Sequence, residues 1–288
     1  MSEQKLRVLR TVGAYRRWLD SRSDWDGPVV LVPTMGALHA GHAALIRRAR
    51  RLAGNSGTVV VSVFVNPTQF GPKEDLSRYP RPFAADKRLC EACGADAIFH
   101  PSAEEMYGEG NTVWVDERVL SLGLCGAARP GHFRGVCTVV LKLFMICAPD
   151  EAVFGRKDYQ QCAVIARMVR DLNLPVRLRF EDTVREVDGL AMSSRNTYLD
   201  GAARERALSI SRGLFSALAD WRGGESRASV LKGRVRRGLE RAGAERIDYV
   251  ELVDGESLAP RTVAERGCVL LVAAVFGGTR LIDNVLFE

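Results

Sequence analysis

The sequence predicts an α/β protein, with a doubly wound parallel sheet over residues 1–182 and a smaller C-terminal α+β domain over residues 183–288. Three observations lead there. Short apolar runs alternate with helical patterns through the first part of the chain. The first two runs end in turns, at Pro33–Gly36 and at Asn66–Pro67. After Asn196 the alternation stops, and two helical stretches precede two apolar strands. A chain of 288 residues exceeds the usual single domain, so a large domain with a smaller companion is the natural division, its boundary falling between Phe180 and Asn196.

In order, Val29–Val32 reads as a buried strand, Pro33-Thr34-Met35-Gly36 as a turn, residues 41–52 as a helix and Val59–Val65 as a second strand. This is a βαβ unit, whose right-handed crossover favours parallel pairing. Residues 71–82 are polar and broken by proline, a long loop placed after a strand end where binding sites are built. A helix over Phe83–Cys93, a strand at Ala97–Phe99, an accessory strand at Val113–Val115 and an interior helix over Gly135–Ile146 follow. A strand at Ala152–Phe154, a helix over Tyr159–Val169 and a strand at Val176–Phe180 complete the first domain. In the second, Ala202–Trp221 and Arg227–Ala242 read as helices, and Tyr249–Val253 and Val269–Phe276 as strands.

Composition excludes several functions. No stretch approaches the roughly 20 apolar residues that span a bilayer, and Met1–Arg10 lacks the apolar core of a signal peptide, so a cytoplasmic protein with no membrane partner is expected. Seven cysteines are too few, and odd in number, for a disulfide framework, and the lone pair Cys90 and Cys93 reads as packing. The net charge of +6 permits attraction for phosphates, yet the cluster Arg47, Arg48, Arg50 and Arg51 has no interleaved aromatics. It reads as a solvated helix face, and no nucleic-acid partner is expected.

The chemistry concentrates in four segments. In Met35-Gly36-Ala37-Leu38-His39-Ala40-Gly41-His42 the glycines permit a tight turn and close ligand approach, and the helix that follows can offer unpaired N–H groups to phosphate. His39 and His42 then share one face and can meet one ligand. Asn66 and Gln69 carry amides suited to an acid bearing hydroxyl groups. In Gly155-Arg156-Lys157-Asp158 the glycine allows close approach, the lysine offsets phosphate charge, and the aspartate can cap a helix or hold a ribose. Met192-Ser193-Ser194-Arg195 combines hydroxyls with an arginine fork, also suited to phosphate. The loop Glu74–Arg81, followed by Asp86, can order a lid or assist magnesium.

Taken together, PTMGALHAGH, VFVNPTQF, EDLSRYPR, RPGHFRGV, FGRKDYQQ, MSSRN and GGTRLIDN resemble, in order, the motif series of the pantothenate synthetases (pantoate–β-alanine ligases), a family of Rossmann-like fold within the HxGH nucleotidylyltransferases. The resemblance implies ATP as a substrate held by Met35–His42, Gly155–Asp158, the backbone at Val184 and Met192–Arg195. His42, His39, Lys157, Ser193, Ser194 and Arg195 are the implied catalytic groups. Gln69 and Gln161 are implied for (R)-pantoate, Gln69 also for β-alanine, and Mg²⁺ with Asp86 as its carboxylate. His132 matches the family pattern and is expected to support the acid site. Arg156 departs from it, since the family usually carries glutamate there. A homodimer built through the first domain is implied as well. The implied reaction adenylates pantoate and passes the acyl group to β-alanine. An adenylyltransferase without the ligation step, or a nucleotide-binding protein without turnover, are the alternatives.

Overall fold

Strands buried on both faces of a parallel sheet read as continuous apolar runs, and the centre of this sheet follows that rule. The structure, a computed structural model, describes residues 6–21, 27–72 and 74–288. Its chain divides into two units, one taking 1–117, 129–156 and 164–182, the other 118–128, 157–163 and 183–288.

In the first unit, β1 (Arg7–Leu9), β2 (Val29–Thr34), β3 (Thr58–Val63), β4 (Ala97–Phe99), β5 (Glu151–Gly155) and β6 (Arg177–Glu181) form one parallel sheet in the order β1-β4-β3-β2-β5-β6. Val29 to Val32 and all of β3 are buried. From β2 the sheet grows through β3 to β4, then returns to lay β5 on the other edge of β2. Strand order therefore reverses between β2 and β5, and the crevice outside the carboxyl ends of such a pair is where doubly wound sheets bind ligands. β2 ends at Thr34 and β5 at Gly155, next to two of the segments singled out above.

The helix Ala40–Ala53 crosses from β2 to β3. Ala43, Ile46, Ala49 and Ala53 form its buried face, packed with Val30, Val32, Val59, Val61 and Val153. Two of its arginines serve the fold. Arg50 donates to Asp96 at 3.0 Å and to the carbonyls of Gly54 and Gly57 at 2.7 and 2.6 Å, and Arg48 pairs with Glu181 at 3.1 Å. The helix His132–Cys147 carries Gly135 against the short turn Pro67–Gln69.

In the second unit, β7 (Arg246–Asp254), β8 (Cys268–Phe276) and β9 (Thr279–Leu286) form an antiparallel sheet with β8 central and buried at all nine positions. The helices Gly201–Ala207, Ser209–Arg222 and Ala228–Arg241 supply the other side of its core, with Leu214, Leu231, Leu252, Leu270 and Phe276 fully buried together.

Three expectations change. No strand forms at Val113–Val115, where the N–H of Val115 donates to the Thr138 hydroxyl at 3.0 Å instead of to a neighbouring strand. The helix expected over Ala202–Trp221 is interrupted at Leu208, although the bonds from Leu208 N to Arg204 O and from Arg212 N to Leu208 O run through the break. β1 and β9, absent from the sequence reading, close one edge of each sheet. All seven cysteines are free and buried, and burial pushes the Cys90 thiol up to about 12. Among the described residues no helix is long and apolar enough to cross a membrane.

A methyl group at Gly135 would collide with the Thr68 carbonyl and stand 2.9 Å from the Gln69 nitrogen, both immobile backbone. Gly135→Ala is therefore expected to destabilise the chain by about 1–3 kcal/mol, the usual cost of overpacking. Thermal denaturation measures this, and an unchanged Tm would mean that helix and turn separate freely.

Candidate active site

The first segment begins where β2 ends. Thr34 ties the strand end to β3, its hydroxyl donating to the Ser62 carbonyl at 2.7 Å and accepting from Gly36 N at 3.2 Å. Gly36 then takes φ +81° and Ala37 φ +49°. A left-handed residue with a side chain costs about 1–2 kcal/mol, so the turn needs outside support. Asp86, from the helix Phe83–Ala92, supplies it: Oδ2 accepts from Ala37 N at 3.0 Å and Oδ1 from Leu38 N at 2.7 Å. Burial raises the Asp86 pKa, and these two N–H bonds partly oppose it.

His39 is the N-cap of the helix Ala40–Ala53. Its Nδ1 accepts from Gly41 N at 3.2 Å, while His42 Nδ1 accepts from His39 N at 3.3 Å. The two rings lie 4.1 Å apart, tilted by 46°. An acceptor Nδ1 carries no proton, so both neutral imidazoles are held as the tautomer with the proton on Nε2, a donor suited to phosphate oxygen. The N–H groups of Gly36, Ala37, Leu38, His39 and Gly41 all have partners within the chain.

The second segment is held from three sides. Asn66 Nδ2 donates to Gln69 Oε1 at 3.0 Å and to the Gly135 carbonyl at 3.2 Å, and Tyr107 donates to Asn66 Oδ1 at 2.7 Å. Gln69 is buried, and among the described residues its Nε2 has no partner. The amide is thus held by its oxygen with its two N–H donors left for a ligand. Its carbonyl takes His132 Nδ1 at 2.9 Å and Arg129 Nη2 at 3.2 Å. Arg129 in turn grips Glu74 with two bonds of 2.7 and 2.6 Å and reaches His132 Nε2 at 3.1 Å. Burial tends to raise the Glu74 pKa, but the bonds to Arg129, its charge and the Gly71 N–H outweigh it, and the carboxyl sits below its ordinary range. Sequence reasoning missed Tyr107 and Arg129. Arg129 is the first residue of the RPGHF match, which marked the position without assigning it a task.

Gly155 and Arg156 end the stretch 129–156 of the first unit. Only Leu45 Cδ2, at 3.9 Å, would meet a side chain at Gly155, so space above the strand end is open. Arg156 pairs with Asp182 at 2.8 Å on the surface, a contact worth at most about 1 kcal/mol.

In the second unit Lys157 Nζ lies 3.6 Å from Asp158, and the Lys157 carbonyl accepts from Asn284 Nδ2 at 3.0 Å. Gln161 is half-buried, whereas its neighbour Gln160 is engaged by the fold, bonding Cys125 N, Leu120 O and Gly123 O. Val184 accepts from Met192 N at 3.0 Å. Ser193 caps the short turn Ser194–Tyr198, accepting from Arg195 N at 3.3 Å, and Met192, Ser194 and Arg195 are half-buried. Asn196, buried, bonds Glu186 and the Ala191 carbonyl. Arg185 grips Asp283 with bonds of 2.6 and 2.9 Å, and burial raises the Asp283 pKa against the pull of that arginine. Neighbouring residues of β9, Asp283 and Asn284, therefore hold Arg185 and Lys157. Both lie in the GGTRLIDN match, which marked the stretch without marking their task.

Magnesium is tested on the same geometry. Both oxygens of Asp86 face N–H donors, and no group of three or more His, Cys, Asp or Glu among the described residues could hold a metal. In this structure Asp86 is a brace for the turn.

A doubly wound sheet with a fixed histidine pair at its switch point and an oriented amide nearby defines an enzyme that uses a nucleotide and a small polar substrate. The chain matches the pantoate-beta-alanine ligase family over residues 7–286. It is 52% identical over 284 residues to pantothenate synthetase 1 of Bradyrhizobium diazoefficiens, covering 98% of this chain and 99% of that one. It superposes on the crystal structure of pantothenate synthetase from Thermus thermophilus with a TM-score of 0.91 and 43% identity, covering 98% and 99% of the two chains. A pantoate-beta-alanine ligase from Francisella tularensis, crystallised with beta-gamma ATP and beta-alanine, superposes with a TM-score of 0.81 at 30% identity, covering 99% and 98%. The chain belongs to the pantoate-beta-alanine ligase family.

Long-range proton–nitrogen NMR correlations are expected to show unprotonated Nδ1 and protonated Nε2 on both His39 and His42; the opposite tautomer on either would dismantle the reciprocal cap. Because Glu74 is depressed in the folded state, its stabilisation is present above its ordinary pKa of 4.5 and lost as pH falls below it. The Tm difference between the native chain and Glu74→Gln should therefore shrink on acidification, and a constant difference would contradict the ion pair.

Proposed function

We propose how this chain's residues divide the work of the reaction its family carries out, the ATP-dependent ligation of pantoate and β-alanine through an adenylate. A pantoate carboxylate oxygen attacks the α-phosphorus of ATP, the bond to the bridging oxygen breaks, and pyrophosphate leaves. The β-alanine amine then attacks the acyl carbon of pantoyl adenylate, the bond to AMP breaks, and the amine loses a proton to solvent. An unactivated carboxylate is a poor acyl donor, which is why adenylation comes first.

The reciprocal histidine cap carries this reading. It sets Nδ1 of His39 and His42 as acceptors, which puts the donor of each neutral ring on Nε2, the kind of group that suits oxygens gaining charge as the α-phosphate is attacked, and fixed donors need no reorganisation at that moment. Lys157, Ser193, Ser194 and Arg195 neutralise the remaining phosphates, with Gly155, Arg156 and Asp158 along the same strand end. Val184 and Met192 border the adenosine. Gln69 offers its Nε2 donors to pantoate and then to β-alanine, and Gln161 is a second pantoate contact. Mg²⁺ accompanies ATP on its phosphates. The chain works as a cytoplasmic homodimer.

Mass spectrometry of timed reactions with ATP, Mg²⁺ and (R)-pantoate, before and after β-alanine, tests the sequence of steps. Pantoyl adenylate and pyrophosphate are expected first, then pantothenate and AMP. His42→Ala is expected to slow adenylate formation by about 100-fold or more, the usual loss on removing a transition-state donor; native adenylate formation would remove His42 from catalysis.

A further inference from the structure

The side chain that braces the turn 36–38 must accept a hydrogen bond at each end and donate none. Ala37 N and Leu38 N are both donors, and they reach different oxygens of Asp86, at 3.0 and 2.7 Å. Only Asp and Glu have two acceptor atoms and no donor when ionised. An asparagine would turn its own NH₂ toward one of these N–H groups. Glutamate has the right chemistry but one methylene too many for a site in which Asp86 is 2% exposed and a methyl on Gly36 would already come within 3.0 Å of Oδ2.

Among the described residues no ion pair balances this buried carboxylate. His100 lies near enough to favour its charge, with its Nδ1 2.6 Å from the Val63 carbonyl and its ring stacked on Phe83 at 4.2 Å. Cys90, on the same helix, is a neutral thiol at neutral pH. The dipoles of the turn are therefore the charge's direct partners, and the turn's left-handed course depends on the charge in return. The next residue is His39, whose backbone N–H enters the histidine cap.

We propose that Asp86 is a positioning residue for adenylation, fixing the turn 36–38 so that His39 starts its helix with both imidazoles aimed at the nucleotide. The inference rests on the assignment of His39 and His42 to phosphate. Asp86 acts through Ala37 and Leu38.

Asp86→Asn, of equal size, is the direct test, with the two half-reactions measured separately at several Mg²⁺ concentrations. Pyrophosphate release from ATP and pantoate is expected to fall about 10- to 100-fold, as misplaced catalytic groups do. Pantothenate formation from supplied pantoyl adenylate and β-alanine should stay within about threefold of the unaltered enzyme, and the Mg²⁺ concentration for half-maximal rate should not move. Native pyrophosphate release in the variant, an equal loss in both half-reactions, or recovery at high Mg²⁺ would each overturn the proposal, the last by making Asp86 a metal ligand. Should Asp86→Asn not fold, Asp86→Glu keeps charge and both acceptors but displaces the turn; a loss of at least about tenfold in adenylation is expected, and native activity would overturn the proposal. An unaltered enzyme that releases no pyrophosphate would instead refute the site assignment beneath it.

Discussion

β2 is hydrogen-bonded along both edges, to β3 through its full length and to β5 at Val30 and Leu31, and it is buried from Val29 to Val32. A strand fixed this way cannot slip by one residue without breaking two ladders at once. Its end at Thr34 is consequently a fixed point, and the first site segment grows from it. The hydroxyl of Thr34, bonded both to β3 and to Gly36, carries that rigidity into the turn.

Beyond that point the chain satisfies its own backbone before any ligand arrives. Asp86 takes two N–H groups, the histidine cap takes two more, and Thr34 takes a fifth. Helix starts and left-handed turns often hold anions through such groups. Here the resident anion is a carboxylate of the protein itself, so backbone donor and protein acceptor satisfy each other. The same division recurs at Gln69, whose oxygens are engaged by the protein while its amide N–H groups remain available.

Much of this was legible in the chain. The valine runs at 29–32 and 59–63 announced buried parallel strands, and the motif series announced the family, because those patterns are local. What stayed hidden was non-local. Arg129 reaches Glu74 and Gln69 across 55 and 60 positions, and nothing in the spacing of an arginine and a glutamate so far apart reveals a pair. Asp86 looked like a metal carboxylate because its position suggested ligand chemistry, whereas its partners are backbone N–H groups that no sequence pattern displays. The strand expected at Val113–Val115 had the residues for an edge but no neighbour to bond.

The hold that β9 exerts on the second unit has a consequence for how the chain matures. Arg185 meets its partner 98 positions later and Lys157 meets Asn284 127 positions later. Synthesis proceeds from the other end, and domains form as units while the chain emerges. The parallel sheet can close once β6 has been made, but Lys157 and Arg185 cannot be fastened until Asp283 and Asn284 have been translated. The second unit is therefore fastened only after the parallel sheet of the first has all its strands.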